Sequence, residues 1–194
     1  MNTVGKTEVV RVFFALSPGE RCRSRLSAVA DDLAVRLGGR AMAKETLHLT
    51  LAFVGEVRLD RLPELMAVAS DVAQSMSEAS AAELVVLDRL RYWPSGKMLW
   101  ATCDHCPPRL GALADELAGR LLASGYILEL RPWLAHVTLL RRIAALPQDA
   151  ELDLLKNAPV RWSYRDFVLL RSRPGPGGSA YERLGRWALR DALS

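Results

Sequence analysis

Two short stretches of this chain repeat one pattern, Leu47-His48-Leu49-Thr50-Leu51 and Ala135-His136-Val137-Thr138-Leu139, 88 residues apart. Strict alternation of apolar and polar residues has the period of a β-strand, which sends successive side chains to opposite faces. Each stretch therefore puts a histidine and a threonine on one face, roughly 6–7 Å apart at the rise of a strand, and aliphatic residues on the other. Two such strands need one buried sheet face and one open face. Because they fall in opposite halves of the chain, they point to two related lobes that face each other.

The rest of the chain alternates helix and strand signals. Val9–Leu16 (VVRVFFAL) is short, β-branched and aromatic-rich, a buried strand stopped by Ser17-Pro18-Gly19. Pro18 pre-sets a helix to about Leu37, with Leu26, Val29, Ala30, Leu33 and Leu37 on one face and Gly38-Gly39 at its end. The first His-x-Thr strand, Leu47–Phe53, closes at Gly55, and a helix follows from about Asp60 to Met76. Glu83–Leu90 and Lys97–Cys103 read as strands joined through the turn cluster Trp93-Pro94-Ser95-Gly96. A helix over about Pro108–Ala123 precedes the second motif strand, Ala135–Leu140. Two last strands, Val160–Leu170 and Ala180–Leu189, flank a hairpin-like loop at Ser172–Ser179. Such an order predicts an α+β architecture rather than a parallel sheet.

At 194 residues, half of them hydrophobic and a quarter charged, the chain has the make-up of an ordinary globular protein. No apolar run approaches the roughly 18–20 residues that span a bilayer, and Met1–Glu8 lacks a secretory pattern. A cytoplasmic location without membrane attachment is the expectation. A net charge of +4 suits an anionic partner. Lysine stands only at positions 6, 44, 97 and 156, so most of the 26 basic residues are arginines, whose planar fork suits phosphate.

Chemistry falls to the paired motifs. Imidazole exchanges protons near neutral pH, and a threonine hydroxyl donates to phosphoryl oxygens. Opening a cyclic phosphodiester needs a base for water and an acid for the leaving oxygen, in line on opposite sides of phosphorus. Two histidines supply one of each, while Thr50, Thr138 and a nearby arginine stabilise the non-bridging oxygens. No carboxylate cluster at metal-ligand spacing lies near either motif, so neither a metal nor a cofactor is expected. Trp133, close to His136, is a candidate substrate contact.

These residues resemble the two-histidine phosphoesterases, and among them the RNA 2′,3′-cyclic phosphodiesterases, also called 2′-5′ RNA ligases. Arg11–Leu16 resembles the opening strand of that family. Glu45-Thr46-Leu47-His48-Leu49-Thr50-Leu51-Ala52-Phe53-Val54-Gly55-Glu56-Val57 is similar to its first motif, and Arg131-x-Trp133-x-x-His136-Val137-Thr138-Leu139-x-Arg141 to its second. Trp93-Pro94, Lys97-Met98-Leu99-Trp100 and Tyr181-x-x-Leu184 match more loosely. The resemblance implies one bilobal, pseudo-symmetric catalytic domain over residues 1–194, with antiparallel sheets lining a central cleft and helices outside. It implies hydrolysis of RNA 2′,3′-cyclic phosphate ends to 2′-phosphate ends by a monomer, with His48 as proton donor and His136 as proton acceptor. It also places Arg141 on the phosphate, and Arg40 matches the family's basic residue ahead of the first motif, a further substrate-binding candidate. The chain departs from the family pattern at Ala41-Met42 after Arg40, at Ala135 in place of proline, and at Trp133 in place of phenylalanine.

Other assignments compete less well. Cys103-Asp104-His105-Cys106 has the spacing of a redox pair, but no thioredoxin-like strand–helix alternation surrounds it, and its two cysteines and one histidine leave zinc a ligand short. Gly5-Lys6-Thr7 lacks the upstream glycine and strand of a phosphate-binding loop. A phosphodiesterase for small cyclic-phosphate or 2′-5′-linked nucleotides, an RNA ligase working in reverse, and a non-catalytic RNA-end binding protein remain as alternatives.

Overall fold

The computed structural model describes residues 8–76, 84–129, 132–146, 152–175 and 178–189. Gly5-Lys6-Thr7 and Arg131 lie outside these residues. Strand β1 (Val9–Leu16) lies antiparallel between β3 (Leu49–Arg58) and β9 (Asp166–Gly175), and β10 (Gly178–Ala188) pairs with β9 as a long hairpin. This set forms one half of the main sheet. The other half runs β5 (Arg89–Trp93), β6 (Met98–Thr102) and β7 (His136–Arg141), with the short β2 (Arg40–Ala41) also on β7. The halves meet between β3 and β7 through one residue pair, Leu49 with Val137. The sequence leads one to expect two sheets facing a cleft; among the described residues, strand pairing joins them at this single point. A separate two-stranded sheet pairs β4 (Leu84–Leu87) with β8 (Val160–Ser163).

One face of the main sheet is covered by helices. Helix α1 (Glu20–Leu37) buries Cys22, Leu26, Ala30 and Leu33, α2 (Leu62–Ser75) buries Leu65, Val68, Ala69 and Val72, and α3 (Pro108–Ala123) buries Leu110, Leu113, Ala114, Leu117 and Leu121. Each set recurs at three- and four-residue steps, the stripe that an amphipathic helix presents to a sheet. Val10, Val12, Phe14 and Leu16 of β1 and Leu49 and Leu51 of β3 meet them in the main core. Phe13 and Ala15 point the other way and pack with Val168, Leu170 and Tyr181 in a small second cluster. That second face is where the polar members of both motifs lie.

Several boundaries differ from the sequence expectation. The expected strand Glu83–Leu90, of which Glu83 lies outside the described residues, is two strands from Leu84 on, because Asp88 leaves the small sheet, donates its amide to the Thr102 carbonyl and accepts the Asp104 amide on its carboxylate. The span Val160–Leu170 likewise breaks at Tyr164 and Arg165, where the chain passes from the small sheet to the main one. The described residues of the Ser172–Ser179 segment, 172–175 and 178–179, are strand, paired up to Gly175 with Gly178. A proline such as Pro174 marks a turn in sequence, yet it is tolerated in a ladder where its nitrogen is not asked to donate.

The strand β3 does not close at Gly55 but runs on to Arg58. The need for glycine is plainer at Gly39 (φ 87), where a Cβ would stand 2.9 Å from the Arg141 carbonyl oxygen. Only glycine permits that approach together with that φ, and the approach lets Arg40 pair beside Arg141. Among the described residues, no helix is long and apolar enough to cross a membrane.

Candidate active site

The one-pair junction sets the geometry of the site. With Leu49 opposite Val137 in antiparallel register, one step along each strand faces Thr50 toward His136 and His48 toward Thr138. Leu49 and Val137 are fully buried on the helix side, so the four polar side chains emerge together on the open side. Both motifs end in the same irregularity. In β3, Thr50 pairs with Ala15 and Ala52 with Phe14, leaving Leu51 as an extra residue. In β7, Thr138 pairs with Trp100 and Leu140 with Leu99, leaving Leu139 extra. Such a bulge reverses which face each later residue of the strand presents. Arg141 would otherwise share the buried face of Val137; the bulge turns it to the cleft, and its counterpart in β3 is the exposed Phe53.

Each imidazole is tethered alike. The short 3₁₀ turn Lys44–Thr46, in which the Thr46 hydroxyl donates to the Ala43 carbonyl, delivers His48 so that its Nδ1 lies 2.6 Å from the Thr46 carbonyl oxygen. His136 Nδ1 lies 2.8 Å from the Leu134 carbonyl oxygen. A carbonyl only accepts, so Nδ1 carries the hydrogen on both rings and Nε2 is left to exchange protons. The ring of His48 sits between Phe13 (centroids 4.8 Å) and Tyr181 (5.0 Å, edge-on), and His136 stacks on Trp100 at 4.1 Å.

These surroundings disfavour charge. Burial lowers the His48 pKa to about 4, and the positive charges of His136 and Arg141 add to the effect against the opposing Thr46 hydrogen bond. Burial also lowers the His136 pKa, against the opposing bond to Leu134. Both rings are thus neutral at pH 7 in the free protein. Tyr181 is pushed upward by burial, with Arg141 and Arg11 opposing.

His48, Thr50, His136 and Thr138 share the open face by register, and His136 and Arg141 lie near enough to His48 to bear on its charge. Arg40 and Arg141 line a cavity of about 230 Å³ that also touches Ser179 and Tyr181. The Arg40 guanidinium lies so close to Gly178 that a Cβ there would stand 2.9 Å from it. The Trp133 indole N–H donates to the Thr50 carbonyl at 3.1 Å and its partly buried ring packs against the main core, tying one motif to the other. The tryptophan stacked on the His136 ring is Trp100. It sits beside His136 by cross-strand register, which no local pattern in the sequence reveals. Phe13, Phe53 and Tyr181 escaped sequence reasoning for the same reason. All three do lie in segments that resemble the family, Arg11–Leu16, Glu45–Val57 and Tyr181–Leu184, which is a usable signal.

Cys103 and Cys106 stand apart from this site, between β6 and α3. A hydrogen bond between the two thiols, then burial, raises the Cys103 pKa, the opposite of an activated thiol. Among the described residues, no three or more His, Cys, Asp or Glu side chains gather as a metal site.

A model of the 2′-5′ RNA ligase superfamily matches residues 18–176. The RNA 2′,3′-cyclic phosphodiesterase of Escherichia coli (strain K12) is 29% identical over 185 residues, covering 94% of this chain and 98% of its own. The Thermus thermophilus protein of the same name is 27% identical over 194 residues, covering 93% and 91%. Among solved structures, apo E. coli LigT superposes with a TM-score of 0.80 at 27% identity, over 95% of this chain and 99% of that one. The same protein complexed with 3′-AMP gives 0.79 at 26%, over 95% and 100%.

Proposed function

Because the chain belongs to the 2′-5′ RNA ligase superfamily, we propose that it opens RNA 2′,3′-cyclic phosphate ends to 2′-phosphate ends, using His48 and His136 and no metal. The chain is a hydrolase whose relatives over nearly its whole length are RNA 2′,3′-cyclic phosphodiesterases. One observation carries the mechanism: a single cross-strand pair holds two His-x-Thr motifs face to face on the open side of the sheet.

His136 Nε2 takes a proton from water as the water oxygen bonds to phosphorus. The bond from phosphorus to the 3′ oxygen breaks, and protonated His48 Nε2 gives that oxygen its proton. The in-line path needs the two rings on opposite sides of one phosphate, which two facing motifs provide. Thr50 and Thr138 donate to the non-bridging oxygens, and Arg141 and Arg40 offset their charge. The bound anion raises both imidazole pKa values, so that His48 takes up from solvent the proton it lacks in the free site. Trp133 holds the motifs in mutual position. The unit works as one bilobal catalytic domain, as a monomer in the cytoplasm.

Product analysis after incubation with an RNA ending in a 2′,3′-cyclic phosphate tests this directly. A 2′-phosphate product, formed undiminished in EDTA, is expected. A 3′-phosphate product would reverse the leaving oxygen, and no product at all would end the assignment. Free nucleoside cyclic phosphates are the alternative substrates, consistent with the mononucleotide complexes of E. coli LigT.

A further inference from the structure

Beside the two-histidine cleft lies a second hollow of about 460 Å³, lined by Arg40, Gly96, Lys97, Arg141, Arg142 and Ala144. Arg40 and Arg141 also line the cavity that reaches Tyr181, so the two hollows share a wall of two guanidiniums. Four of the six lining residues are cationic and none is acidic. Elsewhere on the surface arginines are matched with carboxylates, as in Arg89 with Asp104, Arg173 with Glu182 and Arg186 with Asp166. Lys97, Arg141 and Arg142 have no ion-pair partner among the described residues.

The backbone holds two of these charges in place at a cost. Lys97 (φ 50) and Arg142 (φ 62) are the non-glycine residues with positive φ among those described, a conformation that L side chains resist. They stand on neighbouring turns joined by a hydrogen bond from the Ile143 amide to the Lys97 carbonyl, 3.1 Å. Neither residue takes part in the hydrolysis described above.

We propose that this hollow is a subsite for the phosphodiester one nucleotide upstream of the cyclic phosphate, so that the preferred substrate is an oligonucleotide end rather than a free nucleoside cyclic phosphate. The hydrolase assignment above is its premise. A strand whose terminal phosphate lies between the histidines continues through its ribose to the next phosphate, a single negative charge. Passing the shared Arg40–Arg141 wall, it meets Lys97 as a rotatable point charge and Arg142 as a planar fork. Contacts to phosphate position a strand without reading its bases, so the subsite confers a preference for length and none for sequence.

Three substrates test this: a nucleoside 2′,3′-cyclic phosphate, a dinucleotide ending in that group, and the same dinucleotide with a neutral methylphosphonate internal linkage. The natural dinucleotide is expected to exceed the other two in kcat/KM by roughly tenfold, the scale of a charge-assisted contact. The double variant Lys97→Gln, Arg142→Gln is expected to bring it down to the methylphosphonate level, with turnover of the nucleoside cyclic phosphate unchanged. Its salt dependence should flatten by about 0.7 in log–log slope, one single-strand phosphate contact.

Equal rates on the two dinucleotides, with the nucleoside cyclic phosphate still hydrolysed, would overturn the subsite and leave the hydrolase intact. Equal losses on all substrates in the double variant would make these residues structural and also overturn it. Hydrolysis of none by the unmodified protein would remove the hydrolase assignment and the subsite with it.

Discussion

His48 and His136 are alike in tether and unlike in setting, and both facts have measurable consequences. Replacing either with alanine should lower turnover by about 10²–10⁴-fold, the usual contribution of a positioned acid or base; a steady-state assay showing near-normal rates in either variant would dismiss the pair. The acid variant, His48→Ala, should recover on a substrate whose leaving 3′ oxygen is replaced by sulfur, since a thiolate departs without a proton. His136→Ala should not recover. The pH dependence follows from the lowered pKa values of both rings. Both rings titrate below pH 6.5 in the free protein, so the singly protonated pair needed for reaction disappears as pH rises through that region, and the alkaline limb of kcat/KM should lie below pH 6.5. An anionic ligand retains the proton longer, so the alkaline limb of kcat should lie at higher pH. Coincident limbs would contradict the electrostatics of the site. The same shift links to stability. An unfolded chain binds a proton at this histidine near pH 6.5, but the folded one only near pH 4. Stability should therefore decline as pH falls between those values, by on the order of 3 kcal/mol for His48. Urea titrations at pH 7 and pH 4.5 should show a smaller decline in His48→Asn.

At the scale of single elements, the two bulges and the turn after α1 place the cations. Gly39→Ala should lower stability by about 1–3 kcal/mol, because it combines a left-handed φ with a contact against the Arg141 carbonyl. Gly119→Ala, inside α3 with nothing within 4 Å of the added methyl, should raise it by about 0.4–1 kcal/mol. Urea midpoints at constant slope would check both, and equal signs would refute the distinction. These elements also mark the limit of what sequence shows. The motif strands, the three long helices and the α+β class follow from local period and could be read directly. Arg141 could be named through family resemblance, but alternation alone would have buried it, since an inserted Leu139 changes no local pattern. Trp100 on His136 and Tyr181 on His48 depend on pairing between strands distant in sequence. The breaks at Asp88 and at Tyr164–Arg165 are corners between two sheets, and a continuous apolar run conceals such a corner.

For the whole molecule, the two sheet halves touch by backbone at one pair, reinforced by the Trp133 bond to Thr50. The amides of β1, paired on both sides, should exchange with deuterium far more slowly than those at Leu49 and Val137. A bound 2′-nucleotide should slow the latter selectively; protection spread evenly over both halves would argue against a seam. The two carbonyl tethers carry a further implication for the assembled enzyme. With each Nδ1 committed, each ring is a port for one proton only. On the proposed mechanism, a turnover that begins with His48 charged and His136 neutral in the bound complex ends with those occupancies exchanged. The complex that holds product would then be the electrical mirror of the one that held substrate, primed to seal the opened bond until solvent restores the starting arrangement.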